Sequence, residues 1–331
     1  VARASSSRAP HDLEDVLEVD DTDQHKPVVE VEGHRLALSN LDKVLYPATG
    51  FTKGQVIDYY VRIAPVLLPH TIDRPLTMRR FPGGVDDPNS FYEKHRPKSA
   101  PDWVRSERVL ASPKAKDQNG VDFVVLDDLA TMVWVANLAS LELHVPQWRI
   151  DKGGRPEVPD LLVFDLDPGE PATIVECAEV ALLLATQVAD EHGWDCYPKT
   201  SGSKGLQLYV PLPEADRQRE WEDGGSRELA RIVAQELARA RPDLVVANMK
   251  KELRTGRVLI DWSQNHVAKT TIAPYSLRAR AEPTVSTPVS WKEVEQLASD
   301  GKAERLRFLP DEVLRRVERD GDLFAPLLSG A

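Results

Sequence analysis

Asp165 and Asp167 close the apolar run of the string Asp160-Leu161-Leu162-Val163-Phe164-Asp165-Leu166-Asp167-Pro168. Side chains alternate along a strand, so Val163, Asp165 and Asp167 share one face and Phe164 and Leu166 the other. Two carboxylates about 7 Å apart on one face repel each other unless positive charge lies between them. A divalent cation, with its preference for oxygen ligands, supplies that charge. A third acid, Asp261, follows the strand-like Val258-Leu259-Ile260, on the face opposite Ile260 and Trp262. Taken alone, the Asp-x-Asp pair is more often a strand end whose acids face water, and Asp261 equally suits a strand-end acid. Three on neighbouring strands would hold two divalent ions, the arrangement that drives in-line phosphoryl or nucleotidyl transfer.

Other strings add to this chemistry. Thr200-Ser201-Gly202-Ser203-Lys204-Gly205 combines small residues, whose backbone amides can approach a phosphate, with the point charge of Lys204. It lacks the Gly-x4-Gly-Lys-[Ser/Thr] spacing of a P-loop, and by itself it equally suits a plain hairpin turn. His144 lies in the strand-like Leu141-Glu142-Leu143-His144-Val145, where a histidine is more often structural than chemical. Phe91-Tyr92 beside Lys94 suits stacking on nucleobases or the edge of a core.

These residues need elements to hold them. Val28 to Leu38 alternates as a strand pair around Glu32-Gly33, and Thr52 to Gln55 is a capping box opening a helix toward Val66. Pro75–Phe81 and Val121–Leu126 read as strands, Asp128 caps a helix from Leu129, and Leu141–Val145 is a further strand. Beyond Asp167, Thr173-Ile174-Val175-Glu176 is a second capping box, and its helix runs to Gly193. Strands over Cys196–Lys199 and Leu206–Leu212 flank the small-residue turn. A helix from Ser226, strands over Leu244–Ala247 and Val258–Ser263, and helices from Ser290 and Asp311 complete the chain. Strands and helices interleave without repeats, so the fold class is mixed α/β (α+β). The organisation expected is an acidic, disordered tail over 1–26 and one catalytic domain over 27–331, with sub-modules of about 27–150 and 151–331.

Composition sets outer limits. The 331 residues, 41% apolar, can bury a sizeable core, and no apolar run is long enough for a membrane span. Two cysteines, Cys177 and Cys196, are too few for a disulfide scaffold and suit a reducing, cytoplasmic setting. The net charge of −11 weighs mildly against nucleic acid. Seven acids and three bases in residues 1–26 account for −4 of it, and the bases of the body cluster: Arg74, Arg79, Arg80; Lys94, Arg96, Lys98; Lys250, Lys251, Arg254, Arg257; Lys269, Arg278, Arg280. Such clusters can line a phosphate-binding groove on an otherwise acidic protein.

Six strings, spread in order over about residues 28–325, together resemble the archaeo-eukaryotic primase superfamily, most closely the polymerase domain of bacterial ATP-dependent DNA ligase D and stand-alone actinobacterial primase-polymerases. They are Leu41-Asp42-Lys43-Val44-Leu45-Tyr46-Pro47, Leu143-His144-Val145-Pro146-Gln147-Trp148, Phe164-Asp165-Leu166-Asp167-Pro168, Thr200-Ser201-Gly202-Ser203-Lys204-Gly205, Asp261-Trp262-Ser263-Gln264-Asn265 and Lys269 to Arg278. The resemblance implies a template-directed polymerase that prefers ribonucleotides, on two facing sheets with helices outside, the C-terminal half resembling an RNA-recognition module. It implies Asp165, Asp167 and Asp261 as ligands of two Mn²⁺ or Mg²⁺. Ser201, Ser203, Lys204 and Gly205 would hold the triphosphate of an NTP or dNTP, with Lys269 and Arg278 beside it. His144 and Ser201 would lie near the sugar. Lys43 and Lys53 would grip a 5′-phosphate, Phe91 and Tyr92 would stack on the template, and Arg254 and Gln264 would be polar residues of the site. The implied partners are gapped or broken duplex DNA carrying a 5′-phosphate, a separate ATP-dependent DNA ligase and the end-binding protein Ku, in the nucleoid-associated cytoplasm.

One position departs from the family's pattern. Gln207 stands where a histidine is usual; it can donate one hydrogen bond to a phosphate but carries no charge, so weaker triphosphate binding is expected. A ligase Lys-x-Asp-Gly string is not found in the chain. Two rivals compete with the polymerase reading. Haloacid-dehalogenase-like phosphatases open on a near-identical acidic strand but continue Gly-Thr-Leu, where this chain has Pro168-Gly169-Glu170, and their later Gly-Asp-x3-Asp string is missing. A non-catalytic DNA-end binding module would keep Lys43 and Lys53 without needing the three acids.

Overall fold

The computed structural model describes residues 18–20, 27–109, 120–151, 153–214, 217 and 225–328. An antiparallel ribbon of β1 (Glu18–Asp20), β2 (Val28–Val31) and β3 (His34–Ala37) begins the fold. The rest of the expected acidic tail lies outside the described residues. A two-stranded ribbon, β4 (Val44–Tyr46) and β5 (Phe51–Thr52), then delivers the chain into α1 (Lys53–Leu67). The Thr52 hydroxyl accepts from the Gln55 amide and the Gln55 side chain accepts from the Thr52 amide, which is the capping box expected from the sequence. Next come β6 (Pro75–Arg80), β7 (Phe91–Glu93), β8 (Ser106–Val109), β9 (Val121–Val125), α2 (Leu129–Asn137) and β10 (Ser140–Val145).

The second half runs β11 (Leu161–Pro168), α3 (Ile174–His192), β12 (Tyr197–Thr200), β13 (Leu206–Pro211), α4 (Gly225–Ala240), β14 (Val245–Val246), β15 (Val258–Asp261), β16 (Thr271–Ile272), α5 (Trp291–Asp300) and α6 (Pro310–Asp320). Two larger sheets result. One has the order β16-β10-β6-β9-β8, with β7 also paired to β6; the other has the order β12-β13-β11-β15-β14. The chain therefore returns to the first sheet at β16, after building the second. That return carries Lys269 and Arg278 to the strand that bears His144.

Burial on both faces holds β10 in the first sheet, and one apolar face anchors β11 in the second. On β11, Leu162, Phe164 and Leu166 are buried against α3, whose Cys177, Val180, Ala181, Leu184 and Val188 recur at helical spacing and are also buried. Each such Leu or Val contributes about 1.5–3 kcal/mol by leaving water. The main apolar cluster joins both sheets, from Tyr60 and Leu143 to Phe164 and Leu208, with smaller ones around Trp148 and Phe324.

Two element ends differ from the sequence expectation. β15 stops at Asp261 and not at Ser263, because the Ser263 amide (3.0 Å) and hydroxyl (2.5 Å) both donate to the Asp261 carboxylate and fold the chain into a 3-10 turn over Trp262–Asn265. α6 starts at Pro310 and not at Asp311. Proline, with no amide hydrogen to lose, fits the first helical position, and Asp311 follows in the first turn, where the helix dipole favours an acid.

Candidate active site

β11 and β15 run antiparallel with Asp165 directly opposite Asp261 and Asp167 opposite Leu259. One carboxylate oxygen from each of Asp165, Asp167 and Asp261 lies within 4.8 Å of the other two. Like charges facing each other across a strand pair destabilise it. Burial first, then Asp167 and Asp261, push the Asp165 carboxyl up to about 7, while a hydrogen bond from Gln207 opposes the shift. Asp167 is also raised, by burial and by Asp261, against the pull of Arg254 and Arg278. Three hard oxygen donors that resist sharing charge are the donor set a divalent cation satisfies. The residues present therefore fit such an ion.

The neighbours of each acid are themselves held. Asp261 accepts from Gln264 Nε2 at 2.9 Å as well as from Ser263, and Lys269 Nζ contacts the Ser263 hydroxyl. On the other strand, Gln207 Nε2 donates to Asp165 Oδ1 at 3.0 Å, and Gln207 Oε1 accepts from Lys199 Nζ at 2.6 Å. Lys199 also donates to Ser286 Oγ at 2.6 Å, and its ammonium is fully buried. Burial lowers its pKa well below the usual lysine value, with Asp165 opposing and Arg278 adding to the effect. Gln207 thus faces the acid strand, where the sequence suggested a phosphate contact. Lys199 was missed; its signal was a lysine inside the strand pattern Tyr197–Thr200.

The small-residue turn leans on the acid strand. The Ser201 hydroxyl accepts from the amides of Ser203 (3.2 Å) and Gly205 (3.1 Å), so two of the amides expected to face phosphate are turned toward that side chain. Lys204 pairs with Glu170 at 3.0 Å, both well exposed. Thr284 Oγ1 donates to the Gly202 carbonyl, and a Cβ on Gly202 would meet Arg278 Cγ at 2.6 Å, which places Arg278 against the turn. Arg254 donates to the Met249 carbonyl at 2.8 Å, and its own carbonyl crowds Gly169, two residues past Asp167.

On the first sheet a buried carboxylate gathers the remaining groups. Glu142 contacts His144 Nε2 (3.1 Å), Arg79 Nη1 (3.3 Å) and Arg278 Nε (3.3 Å). Exposed Phe91 and Tyr92 lie under Arg80 and Arg79, with guanidinium-to-ring distances of 5.3 and 5.2 Å. Tyr92 meets the His144 ring edge-on at 5.7 Å, so this aromatic and the histidine adjoin, while Phe91, its neighbour on β7, points to the other face.

Lys43 and Lys53 stand together at the start of α1. Lys43 Nζ donates to the Pro82 carbonyl (2.5 Å) and Lys53 Nζ to Ser39 (2.6 Å to the carbonyl, 3.1 Å to the hydroxyl). Burial, then Lys43, then Arg80, lower Lys53 to about 8. Cations crowded together in this way prepare a site for an anion. Arg74, grouped by sequence with Arg79 and Arg80, does not belong to this surface: it is buried and paired with Asp160 at 2.6 Å. No helix among the described residues is long and apolar enough to cross a membrane.

Comparisons with known proteins point to one family. Residues 52–324 match the sequence model of the LigD primase-polymerase domain. The chain is 47% identical over 293 residues to the multifunctional non-homologous end joining protein LigD of Mycolicibacterium smegmatis, covering 88% of this chain and 36% of that protein. It is 45% identical over 298 residues to the Mycobacterium tuberculosis counterpart, covering 88% and 37%. The chain thus spans little more than a third of the length of these relatives. Among solved structures, the polymerase domain of Mycobacterium tuberculosis ligase D in complex with DNA superposes with a TM-score of 0.80 at 44% identity, over 90% of this chain and 99% of that one.

Proposed function

The chain belongs to the LigD primase-polymerase domain family, and we propose on that premise that it is a template-dependent nucleotidyltransferase of DNA repair, which adds nucleotides, preferably ribonucleotides, to a primer 3′-hydroxyl at short gaps or broken ends. The observation that carries the reading is the convergence of Asp165, Asp167 and Asp261 to within 4.8 Å, on paired strands beside a turn rich in small residues. We take 27–331 as one catalytic unit with sub-modules meeting near 150–158, since β16 ties the second half back to β10.

In this reading Asp165, Asp167 and Asp261 hold two divalent cations, Mn²⁺ or Mg²⁺. When bound, such ions raise the acidity of a primer hydroxyl and offset charge on departing pyrophosphate. The chain's own residues do the rest. Gln207, Ser263 and Gln264 fix the carboxylate rotamers through the hydrogen bonds given above. Ser201, Ser203, Lys204 and Gly205, with Arg278, Lys269 and Arg254, surround the triphosphate and stabilise its charge. His144 lies beside the sugar, and Phe91 and Tyr92 stack on template bases. The partners are gapped or broken duplex DNA, a DNA ligase that seals the product, and Ku at the end; the setting is the nucleoid.

Extension of a gapped duplex, with ribo- against deoxynucleotides and with Mn²⁺, Mg²⁺ or EDTA, tests this. Metal-dependent, template-directed addition is expected; hydrolysis of phosphate esters without extension would hand the site to the phosphatase reading. A second prediction concerns the lysine pair. Lys43→Ala and Lys53→Ala should each remove the preference for a 5′-phosphorylated gap and spare extension of a plain primer-template. Equal loss on both substrates would refute the assignment. Since the Lys53 ammonium titrates near 8, the wild-type preference should weaken as pH rises through that value, when the cation is lost. Binding should also weaken steeply with salt.

A further inference from the structure

We propose that Glu142 is a positioning residue that fixes His144 with its Nδ1 as a hydrogen-bond acceptor toward the sugar, and so sets the discrimination between ribo- and deoxynucleotides. The inference rests on the reading that His144 lies beside the sugar of the incoming nucleotide.

Glu142 is 1% exposed, on β10, which lies between β6 and the edge strand β16 in the first sheet. The register between β10 and β6 shifts between Ser140 and Glu142, an irregularity of the kind that re-aims a side chain near a site. Glu142 and His144 are two apart on β10 and so share a face. Four groups converge on the one carboxylate. Oε2 takes His144 Nε2 at 3.1 Å and Arg79 Nη1 at 3.3 Å. Oε1 takes the Ala279 amide at 3.1 Å and the Arg278 guanidinium at 3.3 Å. Burial pushes the carboxyl up, but His144, Arg278 and the Ala279 amide outweigh it and hold it at about 2. An ionised carboxylate only accepts. The proton on the side of His144 that faces Glu142 must therefore sit on Nε2.

Its surroundings bias the histidine toward the neutral form. Burial lowers its pKa, Arg278 and Arg79 act in the same direction, and Glu142 opposes them. A neutral imidazole with its proton on Nε2 leaves Nδ1 as a lone pair. Tyr92, edge-on at 5.7 Å, sets the plane of the ring. A ribose 2′-hydroxyl can donate to that lone pair; a deoxyribose carries no donor there. The same carboxylate neutralises only one of the nearby guanidinium groups of Arg79, Arg278 and Arg280, whose charges act on one another, so positive charge remains for the triphosphate. Sugar selection and phosphate attraction are thus organised from one buried side chain.

Glu142→Gln separates this role from mere packing. A glutamine amide can either donate to or accept from the imidazole, so both tautomers become accessible. The ratio of kcat/KM for ATP to that for dATP should fall about tenfold, the worth of one hydrogen bond, and the decrease should fall mainly on ATP. His144→Ala should give the same lowered ratio. Nitrogen-15 NMR of the histidine provides a readout independent of turnover: an unprotonated Nδ1 in the wild type and mixed tautomers in Glu142→Gln. A wild type without preference for ATP would remove both the sugar reading and the specificity role. A wild type that prefers ATP, with the ratio unchanged in Glu142→Gln, would overturn the inference alone. If Glu142→Gln fails to fold, the wild-type spectrum decides, and a protonated Nδ1 overturns the assignment.

Discussion

Asp165→Asn should cut primer extension on the order of a thousandfold and, at the same time, stabilise the metal-free protein. The two effects share one cause. Asp165 faces Asp261 across the β11–β15 pair and lies two residues from Asp167, and its carboxyl is pushed up to about 7. The unfolded chain would release that proton near about 3.9. Between about pH 4 and 7 the folded protein therefore binds more protons than the unfolded one, and its stability without metal falls as pH rises through that window. Asparagine keeps the shape and can still accept from Gln207 Nε2 through its Oδ1, but it carries no charge. Above pH 7 the substitution should add on the order of 1–3 kcal/mol to the metal-free protein. Added Mn²⁺ should raise the melting temperature of the wild type and leave that of the variant nearly unmoved. Thermal unfolding at pH 5 and pH 8, with EDTA or with Mn²⁺, checks this. A metal-free variant less stable than wild type at pH 8, or near-normal extension, would refute the metal role of the carboxylate.

The same acids explain why the site is legible in sequence. Strand periodicity places Asp165 and Asp167 on one face of β11 without knowledge of the fold, and the capping boxes at Thr52 and Thr173 locate the starts of two helices. Periodicity is a local signal, and it says nothing about which strands become neighbours. The pairing of Asp165 with Asp261 spans almost a hundred residues, and only the ordered set of motifs suggests it. Glu142 and Lys199 are opaque for a related reason. Each is a charged residue in a strand, and its role depends on partners from distant segments: Arg278 and Ala279 for the first, Gln207 and Ser286 for the second. Gln207 stands out in sequence as a departure, but its direction does not, because which face of β13 meets the acid strand is a tertiary fact. Arg74 misleads by proximity: it lies just before β6, at the opposite end of that strand from Arg79 and Arg80, and turns inward to Asp160.

Gly205→Ala should lower kcat/KM for the nucleotide about a hundredfold in a protein that still folds. A methyl group on Gly205 would come within 2.0 Å of the Leu166 carbonyl oxygen and 3.4 Å of Pro168 Cδ. Leu166 lies between the two acids of β11, and its carbonyl belongs to the rigid strand backbone. The turn, which is the softer partner, must move away from the acid strand by about an ångström, enough displacement to cost roughly two orders of magnitude where two reacting groups are held on separate elements. Ser201 would move with it, since its hydroxyl accepts from the Gly205 amide. Backbone conformation is not the cause, because Gly205 is not among the positive-φ residues. Gly193 supplies the contrast: it ends α3 at φ +69°, and a methyl group added there would meet nothing within 4 Å. Gly193→Ala should cost about 1 kcal/mol of stability through its left-handed backbone alone and leave nucleotide addition intact. Steady-state kinetics with a gapped duplex, alongside melting temperatures of both variants, distinguishes steric separation of turn and strand from general loosening. Normal kinetics for Gly205→Ala would mean that the turn need not touch the acid strand, and its assignment to the triphosphate would fall.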